Sequence, residues 1–233
     1  MTKSLTFSVA ALLSLACASG RPSMKAATDA LIATASGDHD ESAPRSYEPM
    51  PWGVGQWVLL RTVERRGTPS VDRIGIVGRE PNGFWVEHEH QDYQRSSVTK
   101  ILYARQPRDA AEAMDAVLKV VSRGQDGTVT VVDFTNTGAA AAADRKALAP
   151  AYGLLAPQDV REPEKEGVTV TAGKFPSCAR ITTAVASGGA SKEAVTWYHP
   201  YVPLSGFVRV ESADGELEVE LLDYGTTGAR SKL

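Results

Sequence analysis

The chain has 233 residues, 42% of them hydrophobic, a formal net charge of −3 and only two cysteines. That length holds one large domain or two small ones. The slight acidic excess disfavours non-specific nucleic-acid binding, because no basic surplus is present to neutralise phosphates.

The first element is a leader. Lys3 precedes an apolar run from Leu5 to Ala16, and the small Ala16 stands directly before Cys17. The run is too short to span a bilayer, which takes roughly 20 helical residues, and suits the apolar region of a cleaved signal. The arrangement resembles a bacterial lipoprotein signal, although Ser14 stands where such signals usually carry leucine. The resemblance implies a signal peptide over residues 1–16, acylation of Cys17 by palmitate-type chains, and lipid anchoring in the bacterial cell envelope. Ala18, in place of the aspartate that marks inner-membrane retention, implies the outer membrane if the host has two membranes. An ordinary secretory signal with a chance cysteine is the alternative. With Cys17 lipidated, Cys178 has no intramolecular disulfide partner and reads as a small buried hydrophobe.

Residues 17–51 then form a lipidated N-terminus and flexible spacer rich in Ala, Ser, Asp and Pro. Within it, Met24 to Ser36 has the pattern of a short helix presenting Leu31 and Ile32. From Trp52 the texture changes, and residues 52–226 read as a single domain followed by a tail, 227–233. The runs Gln56–Glu64, Arg73–Gly78, Phe84–His90 and Thr99–Tyr103 predict antiparallel strands. A two-residue Asn82-Gly83 loop would oppose Ile76 to Glu89 and waste an apolar face. A three-residue loop over Pro81–Gly83 sets Ile74 and Ile76 opposite His90 and His88 and turns both histidines to the inner face.

Ala110, Ala111, Met114, Val117, Leu118 and Val121 fall on one side of a 3.6-residue period, which predicts an amphipathic helix capped by Asp109 and ended near Gly124. A strand over Thr128–Phe134 and an alanine-rich helix near Ala139–Ala149 follow, then a charged connector from Pro157 to Gly167. The later strands are expected over Val168–Thr171, Ala179–Val185 and Ala194–Tyr198. Tyr198 to Gly206 carries Pro200 and Pro203 and reads as a stiff loop or edge. In the last hairpin Leu217, Val219 and Leu221 alternate with glutamates across an Asp214-Gly215 turn. This pairs Val210 with Val219 inside and Arg209 with Glu220 outside. The fold class is therefore α+β: a curved antiparallel sheet, a half-open barrel, with an inserted helical segment over its concave face.

Strands, a helical insert and more strands behind a lipoprotein signal resemble the half-open barrel of LolA, LolB and LppX-type envelope carriers. Val168–Cys178, Trp197-Tyr198-His199-Pro200 and Gly206–Val210 are similar in wording to related lipoproteins of that kind. The resemblance implies an apolar cavity for acyl chains. Candidate cavity residues are Phe84, Val86, His88, His90, Met114, Val117, Trp197 and Tyr198. No nucleotide-binding loop, nucleophile elbow or zinc-protease helix occurs, so the expected role is non-catalytic and without cofactor. The leading expectation is binding of a lipid or other hydrophobic ligand. An envelope protein with a filled core that associates with a protein partner is the alternative. His88-Glu89-His90 puts two imidazoles on one side of a strand, so a histidine-based metal protein is a further alternative, still short of a third ligand.

Overall fold

The computed structural model describes residues 23–35, 37–65, 67–135, 160, 163–187 and 190–233. The signal expected over residues 1–16, Cys17 and the helix expected over Ala139–Ala149 lie outside the described residues. The chain forms helix α1 (Met24–Thr34) and a short strand β1 (His39–Asp40). Next come β2 (Trp57–Glu64), β3 (Ser70–Glu80), β4 (Gly83–Gln91), β5 (Ser96–Tyr103) and a one-and-a-half-turn helix α2 (Ala110–Asp115). The remaining strands are β6 (Val117–Arg123), β7 (Val129–Asp133), β8 (Glu164–Val170), β9 (Gly173–Ser187), β10 (Ala190–Tyr198), β11 (Phe207–Ser212) and β12 (Leu217–Gly225).

The strands build one sheet in the order β1-β9-β10-β11-β12-β2-β3-β4-β5-β6-β7, with β8 paired to β9 off this path. It is antiparallel except for the parallel pair of β1 and β9, and it does not close into a barrel. At about 4.8 Å per strand a flat sheet of this width would spread to roughly 50 Å. Yet one apolar core runs from Val120 and Ile101 through Ile76 and Leu60 to Leu221, Val210 and Phe175. Curvature brings these distant strands around a common interior. The inner-face side chains are filled against one another: Ile76, Val86, Phe175 and Leu221 are each 0% exposed. From α2, Ala113 and Ala116 enter the same core. Burying each large side chain contributes about 1.5–3 kcal/mol.

The last hairpin has the register read from its alternation, with Arg209, Val210 and Glu211 opposite Glu220, Val219 and Glu218. Across the β3–β4 turn the inner face is as expected, but the pairing is not. Pro81 and Asn82 alone form the loop, Glu80 pairs with Gly83, and a bulge at Val77 shifts the ladder so that Ile76 opposes Val86 and Ile74 opposes His88. Gly83 serves close approach here, not turn geometry: a Cβ there would lie 2.1 Å from the Tyr103 carbonyl oxygen.

The helix expected over 110–121 stops halfway. Asp109 caps it by accepting the Glu112 N–H, but from Val117 the chain is the strand β6, paired with both β5 and β7. The β-branched Val117, Val120 and Val121 favour a pleated surface, and Val120, off the proposed helical stripe, is the inner-face residue. The Pro200–Pro203 segment is a loop between β10 and β11, as expected, and it is packed into the domain. Val202, Pro203, Leu204 and Ser205 are buried, and the Tyr198 ring packs where a Gly206 Cβ would stand.

Both flanks of the domain are packed on it. Ile32 and Ala35 next to Leu59, Val71 and Leu222 seat α1 on the outer face. At the other end Ser231 Oγ and the Lys232 N–H donate to the buried Glu87 carboxylate, each at 2.7 Å.

Candidate functional site

The polar end of the inner face begins with strand register. Asp72 on β3 lies directly opposite His90 on β4, and Ile74 lies opposite His88. Residues 72, 74, 88 and 90 therefore share one side of the sheet. The rings converge on one carboxylate oxygen: Asp72 Oδ1 is 2.7 Å from His88 Nε2 and 2.8 Å from His90 Nδ1. The two ring centroids are 6.4 Å apart at 76°, which lets both edges reach the same oxygen. Beyond His90, its Nε2 faces Asp92 Oδ2 at 3.5 Å. Asp92 is itself held by accepting the Gln94 and Arg95 N–H groups on Oδ1. Thr28 of α1 donates to the Asp92 carbonyl at 3.1 Å.

Burial opposes charge on Asp72, yet the hydrogen bonds and positive charge of His88 and His90 outweigh it and hold the carboxyl down to about 2. In return the Asp72 hydrogen bond raises His90 against its own burial. The cluster thus holds two carboxylates around two imidazoles, an arrangement that takes up positive charge as protons or as a cation. Sequence reasoning found His88 and His90 and missed Asp72. The signal was present: Asp72, Ile74 and Ile76 alternate on one strand, so an acid stood on an otherwise apolar face.

Among the other expected site residues, Val86 and Val117 are buried core, and Phe84 and Met114 pack against that core half-buried. Phe84 meets Trp52 edge-on with centroids 5.9 Å apart. Trp197 and Tyr198 on β10 stand five strand positions from β4. The Trp197 indole N–H donates to Glu166 Oε2 at 2.9 Å, and Tyr198 is buried on Gly206. The structure thus joins the histidines to Asp72 and does not gather the aromatics around them.

On the opposite face, α1 and the sheet leave a groove of about 470 Å3. Its floor and wall are Leu59, Val71, Val98, Ala27 and Leu31, and Arg73, Glu89 and Lys232 are at its rim. Of the expected cavity residues only His90 lines it. Away from His88 and His90, His199 is 0% exposed between Phe175 and Tyr201. Burial lowers its pKa against the pull of Glu41 and of a backbone hydrogen bond at Ser42.

The glutamates of the last hairpin are largely spoken for. Arg61 reaches Glu218 at 3.2 Å and Glu220 at 2.6 Å, and Thr171 donates to Glu220 through both its N–H and its hydroxyl. Among the described residues no helix is long and apolar enough to cross a membrane. No protein-family model matches this chain, and no curated protein matches it.

Proposed function

We propose that the chain is a membrane-anchored envelope lipoprotein, held through acylated Cys17, whose filled β-domain works without catalysis by associating with another envelope protein. The packing of the inner face carries this reading. Side chains at 0% exposure touch no water-sized space, and such residues line the concavity from β4 to β9. Among the described residues, an acyl chain has no room beside these side chains. Association has a place to occur at the end of the sheet. On β7, Val129 and Val131 are 53% and 55% exposed, and β6 is the strand's one neighbour among the described residues. An open apolar edge of this kind is a template for strand addition.

The test is photo-crosslinking in cells from position 131 of the full-length protein, with the exposed Ala213 as control position. A discrete protein adduct from 131 alone is the expected result. Equal labelling from both positions, or none from either, counts against the association surface. The anchor is tested separately by Cys17→Ser, which should move the protein from the membrane to the soluble fraction.

The groove beneath α1 favours a second reading, a small amphiphile bound on the outer face. Its volume falls within the common range for ligand sites, ~300–1,000 Å3. Lipid adducts that survive purification and disappear on Leu31→Glu would support it.

A further inference from the structure

We propose that Asp72, His88 and His90 form a three-ligand site for a divalent transition ion of the zinc class, independently of the association reading above. One ligand atom from each of Asp72, His88 and His90 lies within 4.8 Å of the other two, and Asp72 Oδ1 itself is 2.7 Å from His88 Nε2 and 2.8 Å from His90 Nδ1. They sit on adjacent paired strands and not on a loop, so the ladder of β3 and β4 fixes their spacing. Ile74, Ile76 and Val86, all buried, form an apolar floor beside them. An apolar, rigid floor of this kind on one side of the site preserves the strength of a charged bond, while the histidine rings keep solvent contact on the other.

The donor set selects the ion. Two imidazoles and one carboxylate suit Zn2+, Co2+ or Fe2+, whereas Ca2+ and Mg2+ prefer oxygen ligands throughout. With metal–ligand bonds of about 2.0–2.2 Å, tetrahedral donors stand roughly 3.4 Å apart. The observed 2.7 and 2.8 Å contacts to Asp72 therefore have to open by roughly 0.6 Å to admit the ion. Ring rotation provides that motion, because His88 and His90 each keep about a quarter of their side-chain surface in contact with solvent (23%).

The tautomers are consistent with binding. In the ion-free arrangement Asp72 accepts from both rings, so the facing nitrogens carry hydrogens. When an ion enters, both facing nitrogens give up their hydrogens: His90 holds one on Nε2, where Asp92 Oδ2 stands 3.5 Å away to accept it, His88 holds one on Nδ1, any further proton leaves to solvent, and His90 Nδ1 and His88 Nε2 become donors to the metal. Asp92 is thus a positioning residue that selects the binding tautomer. Three protein ligands leave one position of a tetrahedron open to water or to a small anionic ligand.

The experiment is titration of the metal-stripped Cys17→Ser protein with Zn2+, and in parallel with Co2+, Ca2+ and Mg2+. Calorimetry and retained metal after gel filtration are the readouts. We expect one Zn2+ per chain, a visible Co2+ spectrum of tetrahedral type and no response to Ca2+ or Mg2+. His88→Gln and His90→Gln should each weaken Zn2+ by at least about tenfold, and Asp92→Asn, which keeps an acceptor for the turn, by about tenfold. Circular dichroism of each variant separates lost binding from lost folding, and if either glutamine variant unfolds, Asp92→Asn carries the test. Absence of Zn2+ binding, or unchanged binding in a folded His88→Gln/His90→Gln double variant, overturns the proposal.

Discussion

Ile76 and Val86 face one another at the centre of the inner face, each 0% exposed, with Ile101 beside them at 1%. Two opposite substitutions there distinguish a filled interior from a ligand chamber. Ile76→Ala removes three carbons, worth ~2.4 kcal/mol in transfer at about 0.8 per methylene. The space left behind adds a cavity penalty, so the expected total is about 3–4 kcal/mol. Val86→Phe adds a ring where the structure leaves no room, and overpacking of that kind costs about 1–3 kcal/mol. Urea unfolding of the Cys17→Ser protein, followed by the fluorescence of its four tryptophans, measures both. If Val86→Phe were as stable as the parent and Ile76→Ala cost less than about 1 kcal/mol, the interior would have spare volume and the packing argument would fail.

Two further outcomes follow from buried groups. His199 has its pKa lowered by burial, so the unfolded chain takes up its proton at a higher pH than the folded one. Its contribution to stability is complete above the unfolded value of about 6.5 and is lost as pH falls toward the lower folded value. The melting temperature of the parent should therefore drop relative to His199→Phe between pH 7 and 5; a difference that stays constant over that range would refute this. Burial also pushes the Cys178 thiol up to about 12, and its Sγ lies 3.5 Å from the Phe175 carbonyl oxygen. Alkylation at pH 8 should be slow in the native protein and fast in urea, and rapid stoichiometric labelling of the native form would contradict the burial.

Strand patterns with an apolar face and a polar face were legible because their period is unambiguous. Leu217, Val219 and Leu221 alternate with glutamates, and the register of that hairpin is the one the alternation implies, although the loop covers residues 213–216 and not the two residues expected. Val117, Leu118 and Val121 were ambiguous, since a short apolar run fits either a helical stripe or a strand. What decided β6 was tertiary: β5 and β7 each needed a neighbour, and valine suits the pleat. The β3–β4 pairing depended on a bulge at Val77, which inserts one residue and leaves no mark in composition. The histidine pair was visible as His-x-His, whereas its carboxylate partner became a site residue only once β3 was laid beside β4. The role of residues 227–233 was hidden for a similar reason, because the Glu87 carboxylate that they cover is brought to them only by the fold.

The most direct measurement of the central claim is native mass spectrometry of the purified Cys17→Ser protein, with extraction of anything released. A filled domain predicts the mass of the bare chain, unchanged after exposure to added phospholipid or fatty acid. Reproducible stoichiometric lipid adducts that survive Leu31→Glu in the outer groove would contradict it, because among the described residues the lipid would then have to enter the filled inner face.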